Sequence, residues 1–245
     1  MSIKLYIVHG SHPCAAVARA MEMKQLPYDV VEMLPPMHAA IQRVRFGSRT
    51  VPSVRLESGE KVSGSKAIVR KLDELAPAPA LFPADPAARA EVERAETWAD
   101  EVWQAVARRL LWVAFARAPR TMPSYQEHAR LRLPAPVVRA VAPLATLAER
   151  RMNDATEPRA RDDVRALPGH LDRIDAWLAR GVLGGETPNA ADLQIAASSR
   201  LIMTIGDARP FFAGRPCAEH ALGLFPRWDG SVPAGVFPAQ WLQAV

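Results

Sequence analysis

The stretch TVPSVRLESGEKVSGSKAIVRKL, residues 50–72, reads as a compact unit of secondary structure. Thr50–Leu56 has the Val-rich character of a strand, and Glu57-Ser58-Gly59-Glu60 is a turn signal. Lys61-Val62 is a short returning strand. Ser63-Gly64-Ser65 then opens a helix whose Ile68, Leu72 and Leu75 fall at i, i+4 and i+7 on one face.

Working outward toward the N-terminus, Lys4–Val8 reads as a buried strand and 13–25 as a helix with Val17, Ala20 and Met21 on one side. Asp29–Met33 is a second strand, and a short helix is expected around 37–44. The order over residues 1–76 is therefore β-α-β-α-β-β-α. Residues 77–86 hold four prolines and read as a linker. From 87 onward the pattern is helical. Asp85 is positioned as an N-cap with Pro86 in the first turn, ahead of a long helix carrying Val92, Ala95, Ala99, Val102, Val106 and Val113. The proline- and arginine-rich segment 119–162 predicts only short, broken helices. Asp163–Arg180 is a clear amphipathic helix ended by Gly184-Gly185, and Asn189-Ala190-Ala191-Asp192 starts an apolar helix that should lie at the centre of its domain. The last 35 residues are expected to pack as a tail.

Composition narrows the class. Of the 245 residues, 49% are apolar, which excludes wholesale disorder. No apolar run approaches the ~20 residues that span a bilayer, and no basic-then-apolar secretory leader is visible. Only Cys14 and Cys217 occur, so a disulfide framework is absent and a cytoplasmic location is expected. The net charge of +5 raises nucleic acid as a partner. Its arginines are scattered among acids along helices, with no aromatic residues between them, so none is expected.

The turn between the first strand and first helix, GSHPC at 10–14, collects a hydroxyl, an imidazole and a thiol. His9, His12 and Cys14 should point in different directions and lack a fourth ligand, so no metal is expected. Cys14, three residues after Ser11, reads either as a poorly placed thiol for one-thiol disulfide exchange or as a small buried apolar residue, and no dithiol reductase is expected. His12 reads as a pocket flank or as an exposed turn residue.

These features together resemble the glutathione transferase superfamily. Ser11 stands where that family places a Ser, Tyr or Cys at the mouth of the first helix. Val51-Pro52 is similar to its Val-Pro, whose proline is cis, and Ser63-Gly64-Ser65-Lys66-Ala67-Ile68 is similar to its Glu-Ser-x-Ala-Ile segment. Gly185 with Asn189–Asp192 resembles its glycine and capping box. The resemblance implies an α/β thioredoxin-like domain at 1–76, then the linker, then an all-α domain at 87–245 for the second substrate and for dimerisation. It implies a cytoplasmic homodimer, with the 86–117 helix at the interface. It also implies that Ser11 is catalytic and that His12, Cys14, Arg49, Val51, Pro52, Gly64 and Ser65 surround a thiol. The Val51 backbone would pair with the cysteinyl part, and Ser65 with its helix start would hold the γ-glutamyl carboxylate. Arg49 would meet a second carboxylate or serve as a surface residue. Gly64 replaces the family's acidic residue, so the thiol is either glutathione or another low-molecular-weight thiol such as mycothiol.

The chemistry implied is thiolate formation. A free thiol has a pKa of about 8.5, and lowering it two units takes about 2.7 kcal/mol. One charge-assisted hydrogen bond plus a helix N-terminus is of that size. Three functions stay open: transfer of the thiol to an apolar electrophile, thiol-dependent isomerisation, and a non-catalytic binding protein of the same fold. Trp98, Trp103, Trp112, Phe115, Phe211 and Phe212 either wall a pocket for the electrophile or form plain core.

Overall fold

The structure, a computed structural model, describes residues 2–35 and 37–242. Four short strands form one sheet in the order β2-β1-β3-β4. Strand β1 (Ile3–Val8) runs parallel to β2 (Tyr28–Met33), with Leu5 opposite Val30. It runs antiparallel to β3 (Ser53–Arg55), with Leu5 opposite Val54, and β3 returns antiparallel into β4 (Lys61–Ser63). Helix α1 (His12–Met23) joins β1 to β2, α2 (Met37–Phe46) leads on to β3, and α3 (Ser65–Leu75) follows β4.

Strand β3 starts later than Thr50 for a local reason. The Val51–Pro52 peptide is cis, and proline has no N–H to give to a ladder, so pairing with β1 ends at Ser53. The Pro52 carbonyl is used instead by the Gly64 N–H at 3.0 Å, which ties the proline turn to the start of α3.

The connection 77–86 is anchored rather than loose. Lys24, buried at the end of α1, donates to Asp73 at 2.7 Å and to the Pro79 carbonyl at 2.8 Å. Leu81 and Phe82 are buried, and the Leu81 carbonyl accepts from the Ala190 N–H.

The remainder is helical. Helix α4 (Pro86–Trp98) is capped by Asp85, which accepts from the Ala88 N–H at 2.8 Å. One π-helical turn, Ala99–Trp103, passes it into α5 (Gln104–Arg117), so the expected long helix carries a register shift in its middle. A 3-10 turn, Pro119–Gln126, comes next. The expectation of short helices through 119–162 fails beyond it: α6 is one helix over Ala135–Met152. Pro136 sits in its first turn, where no N–H is needed. The bond missing at Pro143 falls on the exposed side of the helix, at Arg139, where the free carbonyl is open to solvent rather than to the core.

Helix α7 (Glu157–Ala179) begins six residues before the expected Asp163, capped by Thr156. Asp163 is buried and holds Arg109 of α5 through two 2.6 Å bonds, so its carboxylate joins helices instead of starting one. Helix α8 (Ala190–Met203) is buried on nearly every side and packs against α1, α4, α5 and α10 (Pro216–Leu224). Two single turns, α9 (Arg209–Phe212) and α11 (Ala239–Leu242), complete the tail. No helix among the described residues is long and apolar enough to cross a membrane.

Candidate functional site

Two helix starts face one cleft of about 1030 Å³. The first is the β1–α1 turn. Gly10 takes φ 75°, in the left-handed region that glycine tolerates, and turns the chain so that Ser11 becomes the N-cap of α1. Among the described residues the Ser11 side chain makes no capping bond to its own helix. The second is the start of α3. Gly64 is its N-cap at φ 89°, where a Cβ would meet nothing within 4 Å but any side chain would strain the backbone. Ser65 follows, buried, and its hydroxyl accepts from the Gln104 amide at 3.3 Å.

Ser11, His12, Arg49, Val51, Gly64 and Ser65 all line the cleft. Arg49 is exposed at its rim. Pro52 is buried behind Val51 and bears on the cleft through the backbone alone. Cys14 must be withdrawn from the set of thiol-contacting residues. It is buried behind the turn and does not line the cleft. Burial pushes its thiol up to about 12, only partly offset by contacts with Ser11 and the Val8 backbone, which makes it inert at neutral pH.

His12 is not an exposed turn residue. It is 2% exposed, and its Nδ1 meets the Ser198 hydroxyl of α8 at 2.9 Å. Burial, and then the charge of Arg108, drive its pKa well below the ordinary imidazole value, so it is neutral. Its Nε2 has no partner among the described residues. His9 turns the other way, to Asp229 at 2.8 Å, so the three donors of the turn diverge.

Sequence reasoning missed the wall contributed by the π-turn and α5. Asp100, Gln104 and Arg108 line the cleft opposite the two serines. The Gln104 amide nitrogen donates to Gln194 at 2.9 Å and has Ser65 and, at 3.4 Å, Asp100 as alternative acceptors for its second hydrogen, and its oxygen accepts from Arg108 at 3.1 Å. Gln104 and Arg108, four apart and so on one face of α5, are the signal that was visible. Of the aromatic set, Trp112 and Phe115 line the cleft, whereas Trp98, Trp103 and Phe212 are core and Phe211 packs against the core. Tyr125 also lines it, but its hydroxyl is committed to Thr204 at 2.6 Å and burial raises its pKa.

Residues 5–80 match the family described as glutathione S-transferase, N-terminal domain. The match covers the N-terminal, sheet-bearing part of the chain. No curated protein matches it by sequence. Among solved structures it is similar to the β-etherase LigF of Sphingobium sp. strain SYK-6, with TM-score 0.62 and 18% identity over 91% of this chain and 99% of that one. It is similar to a glutathione S-transferase of Rhodospirillum rubrum, with TM-score 0.56 and 20% identity over 98% of each chain. A glutathione transferase homologue from Sulfitobacter, solved with bound glutathione, gives TM-score 0.52 and 19% identity over 91% of this chain and 90% of that one. At these identities the likeness carries the fold. The glutathione transferase architecture, a small mixed sheet followed by helices, is thus the frame around the cleft.

Proposed function

We propose that this chain is a glutathione transferase that attaches the thiol of glutathione to an apolar electrophile. The observation that carries the reading is the pair of uncapped helix starts, at Ser11 and Ser65, facing one cleft whose far wall is apolar.

The γ-glutamyl carboxylate docks at the start of α3, where the Ser65 hydroxyl and the helix N-terminus favour an anion. Gly64 cannot supply the acid that would meet the γ-glutamyl ammonium. Asp100 can, since the Gln104 amide nitrogen lies within hydrogen-bond reach of both it and Ser65. The Val51 backbone pairs with the cysteinyl unit, and Arg49 meets the glycine carboxylate at the rim. The sulfur then lies at Ser11. Its proton leaves to solvent, and the thiolate is held by the Ser11 O–H, by the positive end of α1 and by the nearby Arg108 guanidinium. The sulfur lone pair forms the S–C bond to the electrophilic carbon, and the leaving group departs with its bonding pair. Holding both reactants in one cleft supplies the rest of the acceleration.

Calorimetric titration with glutathione, beside a Ser65→Ala control, tests the reading. Micromolar to millimolar binding that weakens at least tenfold in the control supports it. No binding to the wild-type protein would contradict it. Binding with no turnover of 1-chloro-2,4-dinitrobenzene or other activated electrophiles would instead assign a ligand-binding role.

A further inference from the structure

Beyond the two serines the cleft wall is Leu111, Trp112, Phe115, Met122, Val138 and Ala145. Among the titratable side chains along the cleft, one facing pair is buried with its facing atoms unpaired. His38 on α2 and Glu149 on α6 both line the cleft, with side chains only 9% and 5% exposed. Their facing atoms, His38 Nδ1 and Glu149 Oε1, stand 3.8 Å apart, too far for a hydrogen bond. Neither atom has a hydrogen-bond partner among the described residues. The other end of the carboxyl is fixed: the Asn153 amide donates to Oε2 at 3.3 Å and to the Glu149 carbonyl at 2.9 Å. Helix α6 therefore holds Oε1 toward the gap.

A buried polar atom left unpaired is destabilising, and here two such atoms face one another. Burial pushes Glu149 up to about 7, partly offset by the Asn153 bond, and burial lowers His38. Both trends favour a neutral acid beside a neutral imidazole over an ion pair. Such a pair offers one donor and one acceptor that a single group with the same two capacities can satisfy. An oxygen about 2.8 Å from each atom would see them at an angle of roughly 85°, which a hydroxyl accommodates. A carboxylate ligand would lack the donor needed by the imidazole acceptor, and an apolar group would leave both atoms unpaired.

We propose that His38 and Glu149 form a hydroxyl-recognising subsite, so that the second substrate is an apolar, ring-bearing molecule with an alcoholic or phenolic O–H. The subsite rests on reading the apolar half of the cleft as the place for that substrate. The ring packs on Trp112 and Phe115, which meet edge to face at 5.4 Å.

The test uses a matched pair of probes, 2-naphthol and 2-methoxynaphthalene, titrated calorimetrically into the full chain without any thiol. Wild-type protein is expected to prefer 2-naphthol by about tenfold. In Glu149→Leu the preference falls to less than about twofold while 2-methoxynaphthalene still binds, and Glu149→Gln, which keeps a donor and an acceptor, retains part of it. Equal affinities in the wild-type protein, binding of neither probe, or a preference that survives Glu149→Leu would overturn the proposal. Because glutathione is absent from these titrations, a failure here leaves the thiol reading standing. Loss of glutathione binding likewise leaves the subsite standing.

Discussion

The starts of α1, α3 and α8 all carry polar residues, and they use them in opposite ways. At the start of α8 the Asn189 and Asp192 side chains are committed to the fold. The Asn189 side chain accepts from the Ala191 and Asp192 N–H groups, and Asp192 accepts from the Asn189 N–H and the Gly184 N–H, each at 2.8 Å. At α1 and α3 no side chain among the described residues caps the helix. The α8 start is sealed inside the helical layer, whereas the other two open on a cleft. A helix N-terminus carries the same partial charge wherever it lies, and what makes it a site is that its donors are unspent.

The comparison breaks most easily at its structural arm. Asp192 is fully buried, with His220 Nε2 3.0 Å away. Asp192→Ala strips the part-buried Gly184 and Asn189 N–H groups of their acceptor and should cost about 2 kcal/mol in denaturant unfolding. Ser11→Ala and Ser65→Ala should each cost less than about 1 kcal/mol. A mild Asp192 variant beside a severe Ser11 variant would invert the distinction. On the functional arm, Ser65→Ala should weaken glutathione binding at least tenfold by calorimetry, and Asp192→Ala protein that remains folded should bind it normally.

A smaller effect concerns Asp229, which joins the tail to the cleft rim. Burial alone would raise its pKa, but bonds from the His128 ring and N–H and from His9 outweigh this and leave its carboxyl below the ordinary value. A carboxyl depressed by folding stabilises the protein above its unfolded pKa, and that contribution is lost as the pH falls through the folded value. Unfolding followed by fluorescence below about pH 4 should therefore show an acid limb that flattens in Asp229→Asn. The smallest effect is expected at Cys14. Native protein should resist alkylation by iodoacetamide at this thiol, and Cys14→Ala should change glutathione affinity by less than about twofold.

These elements also mark how far the sequence could be read. The α8 capping box, the β1–α1 turn and the Val51-Pro52 turn were legible because each is written in a few adjacent residues. Helix α6 was not, because Pro134, Pro136 and Pro143 read as breakers, while their positions at a cap, in a first turn and on an exposed face are tolerated. Asp163 looked like a helix start until its partner Arg109 was in place. The buried state of His12 depends on Ser198, and the His38–Glu149 pair joins α2 to α6. Such meetings of distant segments leave no local pattern. Ser11 and Ser65 were visible as residues, but whether their hydroxyls were spent was a question for the fold.

The central claim is that the open start of α1 stabilises a thiolate, and the most direct measurement is the ionisation of bound glutathione. Ultraviolet absorbance of the thiolate, titrated against pH in the complex, should give a pKa about two units below the free value of about 8.5. The pKa should move back up by about one unit or more in Ser11→Ala. An unshifted thiol in the wild-type complex, or a lowered one that Ser11→Ala leaves unchanged, would contradict the account.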